Sequence, residues 1–220
     1  MSFVVQRFHP RIRPDLNLSA SGSKLPIHSQ QSSWDSTCAL HCAAMVLQIL
    51  GLVVDPSGIP ESKRKVDAML WKRVQLHFLE GMAFCKLAEF VADIDGIRTK
   101  VLEYCSHRKA VEFIESEMAS KHLVICSFRE VGTALSHAVL AIGIEGTLNG
   151  RRLDAHALLL LDPAEAPPQA MATCNARIDI TCKRSGKLSR YARYTAASTT
   201  FSVVLNGAVS IRLDCSMRPP

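Results

Sequence analysis

Apolar positions along this chain follow two periods, helical through the first half and alternating through much of the second. Cys38, Cys42, Met45, Val46 and Ile49 recur at helical spacing, so residues 38–50 are expected to form a helix stopped by Gly51. Asp35 to Thr37 supply capping candidates just before it. Asp55 to Pro60 is a loop by its turn residues. Val66, Met69, Leu70, Val74, His77 and Phe78 then mark the stripe of a second helix over 61–80, with Lys and Arg on its wet side. Residues 83–94 read as a shorter helix ended by Asp95-Gly96.

The period changes after that point. Arg98 to Tyr104 reads as a strand and residues 107–119 as a helix. Strands are expected at His122–Phe128, Leu135–Ile144 and Leu153–Leu161, the last two joined through Asn149-Gly150, a strong hairpin signal. Their near-continuous apolar runs suit strands covered on both faces. Residues 163–195 carry little pattern beyond a possible strand at Ala176–Thr181. Near the end, FSVVL and AVSIRL alternate on either side of Asn206-Gly207, which predicts a C-terminal hairpin extension. Residues 1–29, rich in Pro, Arg and Ser, read as an irregular N-terminal arm, and 30–220 as a single domain. Helices first and an antiparallel sheet after make the expected class α+β, N-terminal helices packed on a sheet.

Composition narrows the partners. The chain has 220 residues, 48% hydrophobic and 21% charged, enough for one domain with a full core. No apolar run approaches a membrane span, and the N-terminus lacks the apolar stretch of a secretory signal. A cytoplasmic protein is expected, with delivery by a dedicated export system left open. The net charge of +6 is concentrated in Arg7, Arg11 and Arg13 and in Lys183, Arg184, Lys187, Arg190 and Arg193. With 6% aromatic residues and no nucleic-acid motif, these clusters read as solvated loops, and nucleic acid is not an expected partner. Eight cysteines occur without a CxxC or a zinc-ligand spacing, so reduced thiols are expected, with no metal and no cofactor.

One of those thiols stands apart. Cys38 falls where a polar, turn-prone run gives way to the first helix. Unpaired N–H groups and the helix dipole there favour thiolate over thiol. The alternative for any cysteine is a small buried core residue. Two further residues favour the chemical reading. His137 lies near the start of one strand and Asp162 ends the next. His137 is twelve residues back from Asn149, and Asp162 twelve on from Gly150. A regular hairpin would set them close to opposite each other. Cysteine, imidazole and carboxylate in that relation form a nucleophilic triad: His137 takes the thiol proton and Asp162 orients the ring. The backbone N–H of Cys38 and the side chain of Gln31 or Gln30 are the candidate oxyanion donors. His156 is a rival histidine, but it precedes the apolar run. Cys42, one turn into the helix, is expected to be a neutral buried thiol.

In order, these motifs resemble the papain-like cysteine peptidases, and within them the double-glycine leader peptidases of bacteriocin export and their stand-alone relatives. The resemblance rests on Gln31, on Cys38-Ala-Leu-His-Cys-Ala-Ala-Met-Val-Leu-Gln-Ile-Leu-Gly51, on GMAFCKLAEFVADIDG over 81–96, on HLVICSF over 122–128, on HAVLAIG over 137–143 and on Asp162-Pro163. It covers about residues 30–165. Gln31 stands seven residues before Cys38 where the family has six, and Ala39 replaces a common glycine. The resemblance implies a papain-like fold, a Cys38–His137–Asp162 triad, Gln31 in the oxyanion hole, and a peptide or protein substrate. Another acyl-transfer enzyme with the same triad, transglutaminase- or acetyltransferase-like, and a non-catalytic peptide-binding module are the other readings.

Overall fold

A computed structural model describes residues 3–15, 17–77, 79–150, 152–169, 172–181 and 188–214. Phe78, Lys183, Arg184, Lys187, Cys182 and Cys215 of the sequence reading lie outside the described residues. The N-terminal part holds α1 (Cys38–Leu50), α2 (Lys65–Val74) and α3 (Phe84–Ala92). The strands are β1 (Phe3–Phe8), a small pair β2 (Ile12–Arg13) and β3 (Ser19–Ala20), and β4 (Ile97–Leu102). After α4 (His107–Ala119) come β5 (Leu123–Glu130), β6 (Ser136–Asn149), β7 (Arg152–Leu161), β8 (Ala176–Thr181), β9 (Leu188–Ala196) and β10 (Thr200–Leu213).

The expected papain-like arrangement, helices packed on an antiparallel sheet, is not what forms. Strands β5 to β10 pair in the order β6-β5-β10-β9-β8-β7, and β7 pairs back to β6, which closes a six-stranded antiparallel barrel. β1 adds to β6 and β4 to β10 as two extra strands. The reason is visible in the region that carried little sequence pattern: β8 and β9 bridge β7 to β10 and leave no open edge between them.

The closed wall separates two cores. Inside, every barrel strand contributes, among them Val124, Val139, Leu158, Ile178, Tyr194 and Leu205, with Ala110, Val111 and Ile114 of α4 packed against them. Outside, α1 and α3 bury Met45, Leu47 and Leu87 against Leu123, Ile125, Leu140 and Leu161. Residues of opposite parity on β5, β6 and β7 are therefore both buried, which explains their unbroken apolar runs.

Three local expectations change. The C-terminal hairpin does not exist: Thr200–Leu213 is one strand, and Asn206-Gly207 marks a register shift against β5 between Leu205 and Gly207. A β-carbon on Gly207 would stand 3.1 Å from the Leu102 carbonyl, so glycine serves a close approach of β4 instead of a turn. The N-terminal arm is not irregular throughout, because β1 pairs with β6 over Phe3 to Phe8 and Leu18 and Ile27 are buried in the outer core. The second helix is shorter than 61–80: a 3-10 turn over Pro56–Glu61 precedes it, and α2 covers Lys65–Val74 alone. The helix over 38–50 forms as expected, ended by Gly51 at φ +82°. No helix among the described residues is long and apolar enough to cross a membrane.

Candidate active site

Cys38 is the first residue of α1, and α1 lies against the outer face of β6. The contact is close at this end of the helix. The Ala138 N–H donates to Cys38 Sγ at 3.4 Å, and the Cys42 thiol reaches the Ala138 carbonyl at 3.5 Å. His137, one residue earlier, has the opposite parity and belongs to the inner face at the barrel rim. Its ring meets Phe128 edge-on, with centroids 5.5 Å apart. Asp162 shares that inner parity with Leu158 and Leu160 and is 1% exposed.

The hairpin does bring His137 and Asp162 together, by a register other than the symmetric count. Asn149 pairs with Arg152 and Leu140 with Leu161, so the position opposite His137 falls two residues past Asp162. Irregularities between Ala141 and Gly143 and between Glu145 and Gly146 compensate each other. An offset of two preserves the face, and the two side chains meet across a diagonal. His137 Nε2–H donates to Asp162 Oδ1 at 2.7 Å, which leaves Nδ1 for the thiol of Cys38.

The carboxylate is held from every side. Its Oδ1 also accepts the Ala164 N–H at 2.8 Å, and its Oδ2 accepts the Tyr194 hydroxyl at 2.6 Å. Asn175 clamps the backbone, accepting from the Asp162 N–H at 2.7 Å and donating to the Asp162 carbonyl at 2.9 Å. Tyr194 itself stacks on Phe201, with centroids 4.9 Å apart. Neither Tyr194 nor Asn175 was found by sequence reasoning. Both sit in the stretch 163–195, where no motif connects them to Asp162 before the barrel closes.

These contacts set the protonation states. Burial opposes charge on His137, yet the hydrogen bond and charge of Asp162, with those of Cys38, raise its pKa from 6.5 to about 10. Burial likewise opposes a Cys38 thiolate, but His137 and the Ala138 and Ala39 N–H groups outweigh it and lower the pKa. Asp162, although buried, is lowered by its bonds to His137 and Tyr194. All three shifts run toward the charged form of each group. Cys42 differs: burial first, then the charges of Cys38 and Asp162, pushes its pKa well up, as expected of a neutral thiol.

The loop before Cys38 is stitched to the turn after Asp162. Gln31 N–H donates to the Pro163 carbonyl at 2.7 Å, and His28 Nε2 lies 3.1 Å from the Glu165 carbonyl. Gln31 Nε2 donates to the Asp35 carbonyl at 2.6 Å, so its amide orders this loop. Gln30 is exposed and lines a different cavity, together with Thr37 and His41. Asp35 does not cap α1; it accepts from Thr37 and Ser32 and shapes the turn before the helix. His156 pairs with Glu145, 3.2 Å away, remote from Cys38 on the far stretch of β7. His77 lies in a short 3-10 turn after α2.

An open cleft of about 260 Å³ gives access to the thiol, lined by Ser36, Cys38, Gly81, Met82, Ser136 and His137. Gly81, at φ +70°, brings its backbone against the Ser36 carbonyl, where an added β-carbon would stand at 3.0 Å. Among the described residues, no group of three or more His, Cys, Asp or Glu side chains is arranged to hold a metal ion. The arrangement thus brings a thiol, an imidazole and a buried carboxylate together at the edge of a cleft. No protein-family model matches this chain, and no curated protein matches it.

Proposed function

We propose that the protein is a cysteine peptidase that hydrolyses a peptide or protein substrate through an acyl-enzyme on Cys38. The observation that carries this reading is the contact of His137 with the buried Asp162 at the barrel rim, with the Cys38 thiol held on the adjacent Ala138 N–H. In the proposed reaction, the Cys38 thiolate attacks the scissile carbonyl carbon and the carbonyl electrons move onto oxygen. Cys38 N–H stabilises that oxyanion, and Gln31 joins it through the Nε2 hydrogen not held by the Asp35 carbonyl; Gln30 lines the other cavity. The His137 imidazolium then protonates the leaving amine as the C–N bond breaks, leaving a thioester. His137, now neutral, takes a proton from water as it attacks the thioester, releasing a carboxylic acid and regenerating the thiolate–imidazolium pair. Asp162 keeps the ring oriented through both halves. The ordered motifs shared with leader peptidases support the chemistry while the barrel departs from that fold. A cytoplasmic setting, which keeps thiols reduced, fits an active Cys38.

Mass spectrometry of a peptide library incubated with the protein and with Cys38→Ala tests the proposal. New free C-terminal carboxylates formed by the wild type alone are expected. New amides in their place would make the protein an acyl transferase. A library left intact by folded wild-type protein, or cut equally by Cys38→Ala, would refute the peptidase reading.

A further inference from the structure

A second cavity lies on the other side of α1, between α1, α2, α3 and the 28–30 segment. It measures about 420 Å³, within the range of pockets that enclose small ligands, roughly 300–1,000 Å³. Its walls are apolar: Leu40, Ala44 and Leu47 from α1, Leu70 and Trp71 from α2, Phe90 from α3. Among the described residues, no Asp, Glu, Lys or Arg lines it, whereas the cleft at Cys38 includes Glu80 and the large surface hollows carry several charges each. Its polar groups gather at the N-terminal end of α1, where His28, Ser29, Gln30, Thr37 and His41 meet, with Ser57 apart from them.

That polar end is built for hydrogen bonding without charge. Ser29 Oγ and His41 Nδ1 are 2.8 Å apart, and each can donate or accept as the other requires. His28 Nδ1 is buried with no hydrogen-bond partner and is closed to solvent, so it stays out of a ligand's reach, and Ser29 and His41 supply the polar contacts. Burial holds both His28 and His41 below the usual histidine pKa, so neither offers a cation at neutral pH. Asp35, 3.8 Å from His41 Nε2, already accepts from Ser32 and Thr37 on its two oxygens. It does not orient His41 as Asp162 orients His137, so Ser29 is not read as a nucleophile.

We propose that this cavity binds an uncharged amphiphile, an apolar chain whose single hydroxyl-type head meets Ser29 and His41. The site is separate from the cleft at Cys38, and it stands whether or not that cleft is catalytic. A carboxylate head would find no cation here, and an ammonium head no free anion. Either would lose its hydration without a countercharge.

The protein has two tryptophans, Trp34 and Trp71. In Trp34→Phe protein, Trp71 in the cavity wall becomes the only indole. Titration with 1-octanol, octanoate and octylammonium is followed by Trp71 emission. The expected result is a saturable change with 1-octanol, at least about tenfold tighter than with either ion, since a charged head pays full desolvation. Binding should persist when Cys38→Ala is added. It should weaken about tenfold or more in Ala44→Phe and in Val74→Phe, which fill the cavity. Either filled variant suffices if the other fails to show a cooperative thermal transition. If neither shows one, the 1-octanol-induced rise in melting temperature of the Trp34→Phe protein, absent with both ions, gives the reading. No saturable response to 1-octanol, an equal response to an ion, loss of binding with Cys38→Ala, or unchanged binding in a folded filled variant would overturn the proposal.

Discussion

Two clusters in this molecule contain the same ingredients, a nucleophilic side chain, a histidine and an aspartate. They lie on either side of the first turn of α1. In one, Cys38, His137 and Asp162, the acid touches the ring at 2.7 Å and is 1% exposed. In the other, Ser29, His41 and Asp35, the acid lies 3.8 Å from the ring and its oxygens are held by Ser32 and Thr37. His137 is raised to about 10 while His41 is lowered. Residue types therefore do not decide how the ring is held. What decides is whether the carboxylate is free to face the ring and is itself fixed from behind. Asp162 has Tyr194, Ala164 and Asn175 for that purpose.

The sharpest way to break this contrast is to remove each histidine. His137→Ala should lower turnover by about 10²–10⁴-fold, the range for loss of a general base. It should also slow alkylation of Cys38 by iodoacetamide near pH 6. His41→Ala should leave both rates within a few-fold of wild type. Equal losses in folded protein would erase the distinction.

Gln31→Ala is expected to lower kcat by about 10²–10³-fold, as for a lost oxyanion donor, while Gln30→Ala has little effect. Steady-state kinetics on one peptide substrate measures both, and equal small effects would remove Gln31 from the site.

Tyr194→Phe tests the support behind Asp162. It strips the hydroxyl from a buried carboxylate oxygen, which should cost about 1–3 kcal/mol of stability in denaturant unfolding. Turnover should fall more modestly than in His137→Ala, since Nε2 keeps its partner on Oδ1. Unchanged stability and activity would mean that Ala164 and Asn175 suffice.

The smallest effect is a difference in pH dependence. His137 binds its proton more tightly when folded, so its stabilising contribution is complete below about 6.5 and is lost as pH rises through about 10. His41 binds its proton less tightly when folded, so its contribution is present above the ordinary histidine pKa and is lost as pH falls through its lowered value. Thermal melts across pH should show His137→Ala flattening the alkaline side and His41→Ala the acid side. The same arm responding to both variants would contradict the assigned protonation states.

Local pattern determined a good deal by itself. The helix over 38–50 and its stop at Gly51 follow from 3.6-residue spacing and a residue that accepts positive φ, both properties of a single segment. The same holds for β5, β6 and β7, because alternation acts over a few neighbours; the hairpin forms too, but its turn lies one residue later than Asn149-Gly150, since Asn149 is the last residue of β6 and pairs with Arg152. That His137 and Asp162 converge was legible from the hairpin, although the register proved to be offset by two, which parity forgives; only the packing of α1 on β6 brings Cys38 to them. Strand partners were not legible, because a period of two says which face is apolar and nothing about what lies beside it. Only the tertiary structure decided that β8 and β9 close a barrel, and that β1 joins its wall. It also turned Asn206-Gly207 from the expected hairpin turn into a register shift in one long strand. Tyr194 and Asn175 became part of the site for the same reason. Their hydrogen bonds to Asp162 span 32 and 13 positions of sequence and exist only once the barrel closes.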